Sequence, residues 1–124
     1  MIAYASRTGN NRHVIQQLGL PSVEITADLT LDAPFFVLTY TDRLGEVPAI
    51  VQHFLKKNHA HCTGVIASGN SNFGHDVFCG SANKIHKAYD IPIIRKLELR
   101  GFEHDYTAIK EAYSQLIAQK EPIR

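Results

Sequence analysis

The sequence has little that would favour a membrane, an extracellular fold or a nucleic-acid surface. Its two cysteines, Cys62 and Cys79, form no C-x-x-C pair, so we expect no disulfide and a reducing compartment. No run approaches the roughly 18 apolar residues of a membrane span. The net charge is only +1 and Lys and Arg are scattered, which gives no support for a nucleic-acid or membrane partner. The first residues are strand-like, and no basic segment followed by an apolar stretch precedes them as in a secretory signal. A cytoplasmic location is therefore expected.

Several common catalytic and nucleotide-binding motifs are also missing. Neither the Gly-x-x-x-x-Gly-Lys of an NTPase P-loop nor the Gly-x-Gly-x-x-Gly of a dinucleotide fold is present. A phosphoacceptor receiver domain needs paired acidic residues after its first strand, where this chain has Ala5, Ser6 and Arg7. A small phosphatase needs a Cys-x5-Arg loop, and neither cysteine has the arginine. His59 and His61 are the closest pair among seven histidines, and no third ligand has a matching spacing, so no metal site is expected.

Short apolar runs alternate with helical patterns along the chain. Strands are predicted at residues 2–5, 23–25, 35–38, 64–67 and 91–99, and helices at residues 10–18, 48–55, 78–89 and from 105 onward. Two of these runs, the third and the fourth, lack alternation, which is typical of strands buried on both faces. The last run alternates Leu97 and Leu99 with charged residues, which favours a half-exposed edge strand.

The last helix is predicted from one capping residue and one apolar stripe. Asp105 is a residue type that caps helix N-termini. The inner face of this helix is predicted to contain Ile109, Ala112, Tyr113, Leu116 and Ile117.

This alternation predicts an α/β fold in a single domain, residues 1–124. Strands joined through helices imply right-handed crossovers and a parallel sheet with helices on both faces. Five strands and about four helices fit a flavodoxin-like three-layer sandwich with the strand order 2-1-3-4-5. That order reverses between the first and the third strand, and ligands bind at such a reversal.

Three polar loops follow three of the predicted strands, and we call them the first, second and third loop. The first contains Ser6, Arg7, Thr8, Gly9 and Asn10; the second Thr39, Tyr40, Thr41 and Gly45; the third Ser68, Gly69, Asn70, Asn72, Phe73 and Gly74. In a parallel sheet all three leave the same edge, where ligands bind. Their hydroxyls, side-chain amides and glycines, with few charges, suit a phosphate and a planar polar ring better than a metal or a catalytic triad.

The first loop is the better candidate for the phosphate. Ser6, Thr8 and Asn10 offer side-chain donors, and Gly9 permits close backbone approach. The following helix presents unpaired N–H groups and a partial positive charge. A capped strand–helix turn without a ligand is the open alternative.

The second and third loops are the candidates for the ring. Tyr40 and Phe73 are aromatic loop residues that could stack on an isoalloxazine, or simply cover the end of the sheet. Glycines in both loops let backbone groups reach a ring edge, whereas Asn70 and Asn72 are more often turn residues than ligands. Phe78 and Cys79 are predicted to begin a helix and to line the pocket, although Phe78 also fits the core stripe.

Four sequence blocks together carry a family resemblance. They are Y-A-S-R-T-G-N at 4–10, L-T-Y-T at 38–41 with G-E-V-P at 45–48, G-V-I-A-S-G-N-S-N-F-G at 64–74, and I-P at 91–92 with L-E-L-R-G at 97–101. The chain resembles the NrdI family, small flavodoxin-like proteins that serve class Ib ribonucleotide reductase. The resemblance extends from Met1 to about Asp105, and the third block is its most specific part.

The resemblance implies a function that the spacing alone does not show. Proteins of this family bind FMN, and their reduced flavin reacts with oxygen. The oxidant, superoxide or a peroxide form, passes through a channel to the dimanganese site of the partner radical-generating subunit, where it drives formation of the tyrosyl radical. The implied role is that of an accessory activator, with a flavin or thiol reductant system as a further partner.

The resemblance also implies a set of FMN-binding residues. Ser6, Arg7, Thr8, Gly9 and Asn10 would hold the phosphate; Tyr40, Thr41, Asp42 and Gly45 would flank the ring; and Ser68, Gly69, Asn70, Asn72, Phe73, Gly74, Phe78 and Cys79 would close its other side. The chemistry is expected to reside in the flavin, so no catalytic side chain is assigned.

The chain departs from the family pattern in two places. The second loop has Asp42, Arg43 and Leu44 where many members are smaller and richer in glycine. Arg43 would favour an anionic reduced flavin and Asp42 would oppose it. Asn83 stands where members often have an acidic residue, a change expected to affect the surface or a cap.

Two other function classes stay open. One is a general single-electron carrier of the flavodoxin type, against which stand the short chain, the near-neutral charge and the third block. The other is a non-catalytic module that binds a phosphate ligand. An activator would dock its partner over the mouth of the pocket, a mixed surface predicted to consist of Asp42, Arg43, Leu44, Asn70, Ser71, Asn72 and Phe73.

Overall fold

The computed structural model describes residues 1–42, 45–74 and 77–120. The strands are β1 (Ile2–Tyr4), β2 (Ser22–Glu24), β3 (Phe35–Thr39), β4 (Cys62–Gly69) and β5 (Ile93–Glu98). The helices are α1 (Asn10–Leu18), α2 (Ala49–Asn58), α3 (Gly80–Tyr89) and α4 (Glu103–Lys120), with 3₁₀ turns at His59–His61 and Ser71–Phe73. Two residues of the predicted pocket mouth, Arg43 and Leu44, lie outside the described residues.

The five strands form one parallel sheet in the order β2-β1-β3-β4-β5, which confirms the predicted fold class. In the register of the central strands, Leu38 of β3 pairs with Tyr4 of β1 and with Ile66 of β4. β1 and β3 therefore end within one residue of each other, β4 extends further to Gly69, and the three loops leave the same edge of the sheet.

The core has two halves, one on each face of the sheet. Val37 and Phe35 face α2 and α3, whereas Phe36 and Leu38 face α1 and α4. This alternation follows from the two-residue period of a strand, and it confirms that β3 is buried on both faces. Among the described residues, no helix is long and apolar enough to cross a bilayer.

The start and the inner face of α4 differ from the prediction. Asp105 is not the cap residue, because α4 begins at Glu103 and Asp105 lies inside its first turn. Its carboxylate accepts hydrogen bonds from the Phe102 N–H (2.8 Å) and from Arg95 Nε of β5 (2.7 Å). Asp105 thus acts from the third helical position and ties α4 to the sheet. Ile117, predicted to face inward, is 42% exposed.

Two further element boundaries differ from the prediction: β5 ends earlier in the chain than predicted, and α3 begins later. β5 ends at Glu98, and Leu99 follows it with φ +53° and 46% of its surface exposed, so the alternation does not continue as a strand. Helix α3 begins at Gly80, and Phe78 and Cys79 form the turn before it. The left-handed φ of Cys79 (+51°) breaks the helical geometry at this point.

Replacing Asp105 with Ala should lower the free energy of unfolding by about 2 kcal/mol, because Phe102 N–H and Arg95 lose their acceptor. Urea unfolding followed by circular dichroism measures this change. The matched control is Glu103→Ala, which removes an exposed acidic residue from the same helical turn and should stay within about 0.5 kcal/mol. Equal unfolding midpoints for the two variants would contradict the assignment.

Candidate functional site

A cavity of about 310 Å³ lies at the carboxyl ends of β1, β3 and β4. This volume is at the lower end of the range for small-molecule sites, roughly 300–1,000 Å³. The lining residues are Ser6, Arg7, Thr8, Asn10, Asn11, Tyr40, Thr41, Ser68, Gly69, Asn70, Phe73, Val77, Cys79 and Leu99. The three predicted loops therefore do meet around one cavity.

The first loop enters α1 through a glycine in the left-handed region. Gly9 has φ +90°, and a Cβ built on it would contact nothing within 4 Å, so the side of this glycine is open. The N-cap residue of α1 is Gly9 itself, which has no side chain to accept a hydrogen bond from the first turn. Ser6 Oγ lies 3.3 Å from the Arg12 N–H, a weak contact in the first turn. The N-terminus of α1 thus keeps its capacity to bind an acceptor group.

Arg7 connects the first loop with the second. Its guanidinium carbon lies 4.9 Å from the centre of the Tyr40 ring, and its Nη1 donates to Asp42 Oδ1. The Arg7 side chain is 59% exposed and that of Asp42 is 26% exposed, so water and salt weaken this ion pair. Arg7 lines the cavity with its charge shared between a carboxylate and an aromatic face, and the predicted phosphate contact of Arg7 stays a prediction.

Thr41 lines the cavity and joins the second loop to β4 and α3. Its Oγ1 lies 3.0 Å from the Ser68 carbonyl at the end of β4 and 2.8 Å from Ser81 Oγ in α3. A hydroxyl has one proton, so Thr41 donates to the carbonyl and Ser81 donates to Thr41. Ser81 and Ser68 are both buried, which protects these bonds from water. The second loop is therefore fixed to the third at its base.

The second loop also packs directly on the start of α3. The backbones of Asp42 and Glu46 exchange hydrogen bonds of 2.8 and 2.7 Å, which draws the loop together. A Cβ built on Gly80 would lie 2.8 Å from the Cα of Gly45, so these two glycines permit contact between backbones. Gly45, predicted to approach the ring, is buried against α3 in this structure.

The third loop is held by Glu98 at the end of β5. The Ser71 N–H donates to Glu98 Oε2 (3.0 Å), and Ser71 Oγ donates to the other carboxylate oxygen. Asn70 Oδ1 accepts from the Asn72 N–H (2.9 Å), as expected of turn residues. Phe73 is 66% exposed while it lines the cavity, so one edge of the cavity is an accessible aromatic ring.

Cys79 forms part of the cavity wall and is a protonated thiol. Its Sγ lies within reach of two carbonyl oxygens, Ala67 O (3.4 Å) and Leu97 O (3.6 Å). Burial raises the pKa of the Cys79 thiol to about 12. At neutral pH almost no thiolate exists, so Cys79 is not a nucleophile. Both cysteines are free, as the sequence analysis expected.

Three lining residues were missed by the sequence analysis: Asn11, Val77 and Leu99. Asn11 is 1% exposed, and its Nδ2 donates to the Ala5 carbonyl (2.8 Å). Its Oδ1 is buried and has no hydrogen-bond partner among the described residues. A sequence signal existed, because Asn11 precedes the buried Val14 and Leu18 by three and seven positions and so shares the inner face of α1.

Some residues of the predicted set do not line this cavity: Gly9, Asp42, Gly45, Asn72, Gly74 and Phe78. Phe78 packs against the half of the core that faces α2 and α3, the alternative that its place in the apolar stripe had left open. Asn72 and Gly74 are exposed. A ligand contact by any of these six stays a prediction.

Comparisons with known proteins agree with this architecture. The family model "NrdI Flavodoxin like" matches residues 2–111. "Protein NrdI" of Bacillus licheniformis is 34% identical over 128 residues, which is 99% of this chain and 97% of that protein.

Solved structures support the fold at lower sequence identity. A short-chain flavodoxin associated with a bacterial microcompartment has a TM-score of 0.71 at 19% identity, covering 97% of both chains. Fusobacterium nucleatum flavodoxin, crystallised bound to flavin mononucleotide, has a TM-score of 0.61 at 14% identity, covering 95% of this chain and 96% of that chain. With the family match over most of its length, the chain belongs to the NrdI flavodoxin-like family, and this membership implies a role with ribonucleotide reductase.

Proposed function

We propose that the cavity binds FMN and that the reduced protein activates the radical-generating subunit of class Ib ribonucleotide reductase. The single observation that carries the proposal is the meeting of three polar loops around one cavity at the reversal point of a parallel sheet. Family membership supports the choice of ligand and partner. A cytoplasmic location belongs to the same proposal, and the two free thiols support it.

The donor set of the first loop fits a phosphate. Thr8 is exposed at the cavity, and Ser6 and Asn10 line it from the same loop. Together with the start of α1, whose N-cap residue is a glycine, these residues offer hydroxyl, amide and backbone donors, and the described cavity lining contains no carboxylate. We propose that Ser6, Thr8, Asn10 and the open side of Gly9 hold the phosphate.

The remaining lining fits a flat polar ring. Tyr40 and Phe73 supply aromatic surfaces, and Gly69 and Asn70 supply polar groups of the third loop. The apolar side chains of Val77 and Leu99 complete the wall. We propose that this part of the cavity holds the isoalloxazine, with Arg7 adding a positive charge that Asp42 offsets.

The described part of the lining offers no side chain suited to acid–base work at neutral pH. Among the described residues, its titratable groups are Arg7, Tyr40 and Cys79, and it includes no carboxylate and no histidine. When bound, FMN supplies the redox chemistry by which oxygen is converted to superoxide or peroxide for assembly of the partner's dimanganese–tyrosyl radical cofactor. The chain's own residues bind and orient the cofactor, and the buried, protonated Cys79 adds no competing nucleophile.

FMN should stabilise the folded protein. Ligand at a hundredfold excess over its dissociation constant adds about 2.7 kcal/mol to the free energy of unfolding. The melting temperature, followed by circular dichroism, should therefore rise by several degrees with FMN. NAD should leave it unchanged, since the sequence has no dinucleotide fingerprint. A melt that saturating FMN does not move would contradict the proposal.

Substituting Thr8 with Glu should weaken FMN binding at least tenfold, about 1.4 kcal/mol, because the carboxylate would face the phosphate at the start of α1. Thr8 is exposed, so the fold should be unaffected. Quenching of flavin fluorescence measures the affinity. Thr107→Glu, at an exposed position of α4 outside the cavity lining, is the matched control and should bind FMN normally. Unchanged affinity in Thr8→Glu would place the phosphate elsewhere.

An assay with the partner subunit distinguishes an activator of ribonucleotide reductase from a general electron carrier. The reduced protein with oxygen should generate the tyrosyl radical in the manganese-loaded subunit, as measured by electron paramagnetic resonance, and the oxidised protein should not. Binding to that subunit should depend only modestly on salt, because the net charge is +1 and the rim pairs Arg7 with Asp42. The carrier function is supported instead if no radical forms and electrons pass to unrelated acceptors at rates that fall steeply with salt.

A further inference from the structure

The turn between β5 and α4, residues 98–101, reaches the start of α1, although the sequence analysis assigned this turn no binding role. Arg100 of the turn donates from Nε to Asn10 Oδ1 at 3.3 Å. Asn10 is the first residue of α1, and it lines the cavity among the residues proposed to hold the phosphate. The fold therefore brings a guanidinium to the one proposed phosphate residue that has a side-chain amide.

The backbone of Arg100 is held in place on both sides. The Gly101 N–H donates to the Glu98 carbonyl (2.8 Å), which closes the turn. The Tyr106 hydroxyl of α4 donates to the Arg100 carbonyl (2.6 Å), and Tyr106 is only 7% exposed. The Arg100 side chain is exposed, but it starts from a fixed backbone, so less conformational entropy is lost when its guanidinium makes a contact.

Arg100 determines the orientation of the Asn10 amide. A guanidinium has five N–H donors and no acceptor, so only the Oδ1 of Asn10 can face it. Turning the amide over would set Nδ2 against the guanidinium, donor against donor. The Nδ2 hydrogens are therefore left for another acceptor, and the oxygens of a phosphate are strong acceptors.

The charge of Arg100 also differs from those of the arginines in the first loop and in α1. Arg7 pairs with Asp42, and Arg12 pairs with Glu24 at 3.3 Å. Among the residues that the structure describes, no carboxylate lies within ion-pair distance of Arg100. Its positive charge is thus not offset by a neighbour, and through the hydrogen bond to Oδ1 it polarises the Asn10 amide, which makes Nδ2 a better donor.

We propose that Arg100 is a positioning residue that makes the site select phosphorylated flavins, because it holds Asn10 with its amide donors available to the phosphate of FMN. The proposal rests on the FMN site proposed above, and it adds to that site a residue outside the cavity lining. A flavin without a phosphate offers Asn10 no anionic acceptor, so Arg100 adds nothing to its affinity. The ratio of the affinities for FMN and riboflavin, which share the ring and the polyol chain, therefore measures the contribution of Arg100.

The first test compares Arg100→Met with the parent protein on FMN and on riboflavin, with dissociation constants from flavin fluorescence quenching. Methionine keeps an apolar stem and removes the charge and the donors. Arg100→Met should bind FMN about fivefold more weakly, the upper range for an exposed charge contact. It should bind riboflavin as well as the parent protein does, which also shows that the fold is intact. An equal loss on both flavins would overturn the proposal.

A double-mutant cycle with Asn10→Ala tests whether Arg100 acts through Asn10. In the Asn10→Ala background, Arg100→Met should lower FMN affinity by less than about twofold, because the amide that Arg100 positions is gone. A loss as large as in the parent protein would mean that Arg100 contacts the phosphate directly, and the positioning role would be wrong. The cycle uses FMN alone, so it decides the question even where riboflavin binds too weakly to measure.

Lys87→Met is the matched control for the loss of one positive charge. Lys87 is exposed on α3, which packs on the other face of the sheet from α1 and α4, and it does not line the cavity. This variant should keep both affinities, and a loss of FMN affinity equal to that of Arg100→Met would refute a specific role of Arg100. If the parent protein binds neither flavin, the proposed function falls and this proposal falls with it, whereas FMN binding that Arg100→Met leaves unchanged refutes only the role of Arg100.

Discussion

The parallel pairing of β3 between β1 and β4 is the constraint on which the site depends. Leu38 pairs with Tyr4 on one side and with Ile66 on the other, so the carboxyl ends of all three strands lie at the same edge of the sheet. β3 is buried on both faces, and a shift of one residue would move Phe36 and Leu38 to the wrong half of the core. The hydrophobic core therefore fixes where the loops start, before any of their polar residues makes a contact.

Beyond the strand ends, the contacts that join the loops differ in their exposure to solvent. Thr41 joins β4 and α3 through partly buried hydroxyl bonds to the buried residues Ser68 and Ser81, and water weakens these bonds less than exposed ones. Arg7 and Asp42 form an exposed ion pair at the rim, and such pairs contribute at most about 1 kcal/mol. The base of the cavity is thus held firmly, while the rim contacts can be exchanged for contacts with a ligand or partner at little cost.

The sequence predicts this molecule well where a single periodic pattern decides the structure. The strand order and α1 are confirmed because apolar spacing and the reversal rule suffice for them. Asp105 was misplaced because its partner Arg95 lies on β5, and a local capping pattern contains no such information. Leu99 continues the alternation in the sequence, but the left-handed backbone there ends the strand. For the cavity, the polar loops were found, whereas Asn11 was missed because periodicity scores only apolar residues on an inner face.

Two buried polar side chains in the cavity wall, Cys79 and Asn11, differ in how far their polar atoms find partners. The thiol of Cys79 lies near two carbonyls and stays protonated, so it is buried without an unpaired charge. Asn11 keeps an acceptor that has no partner among the described residues, and such an atom costs the folded protein about 1–3 kcal/mol. The Oδ1 atom of Asn11 has almost no accessible surface in the ligand-free fold, so this cost belongs to the packing around α1 and β1 and not to the choice of ligand.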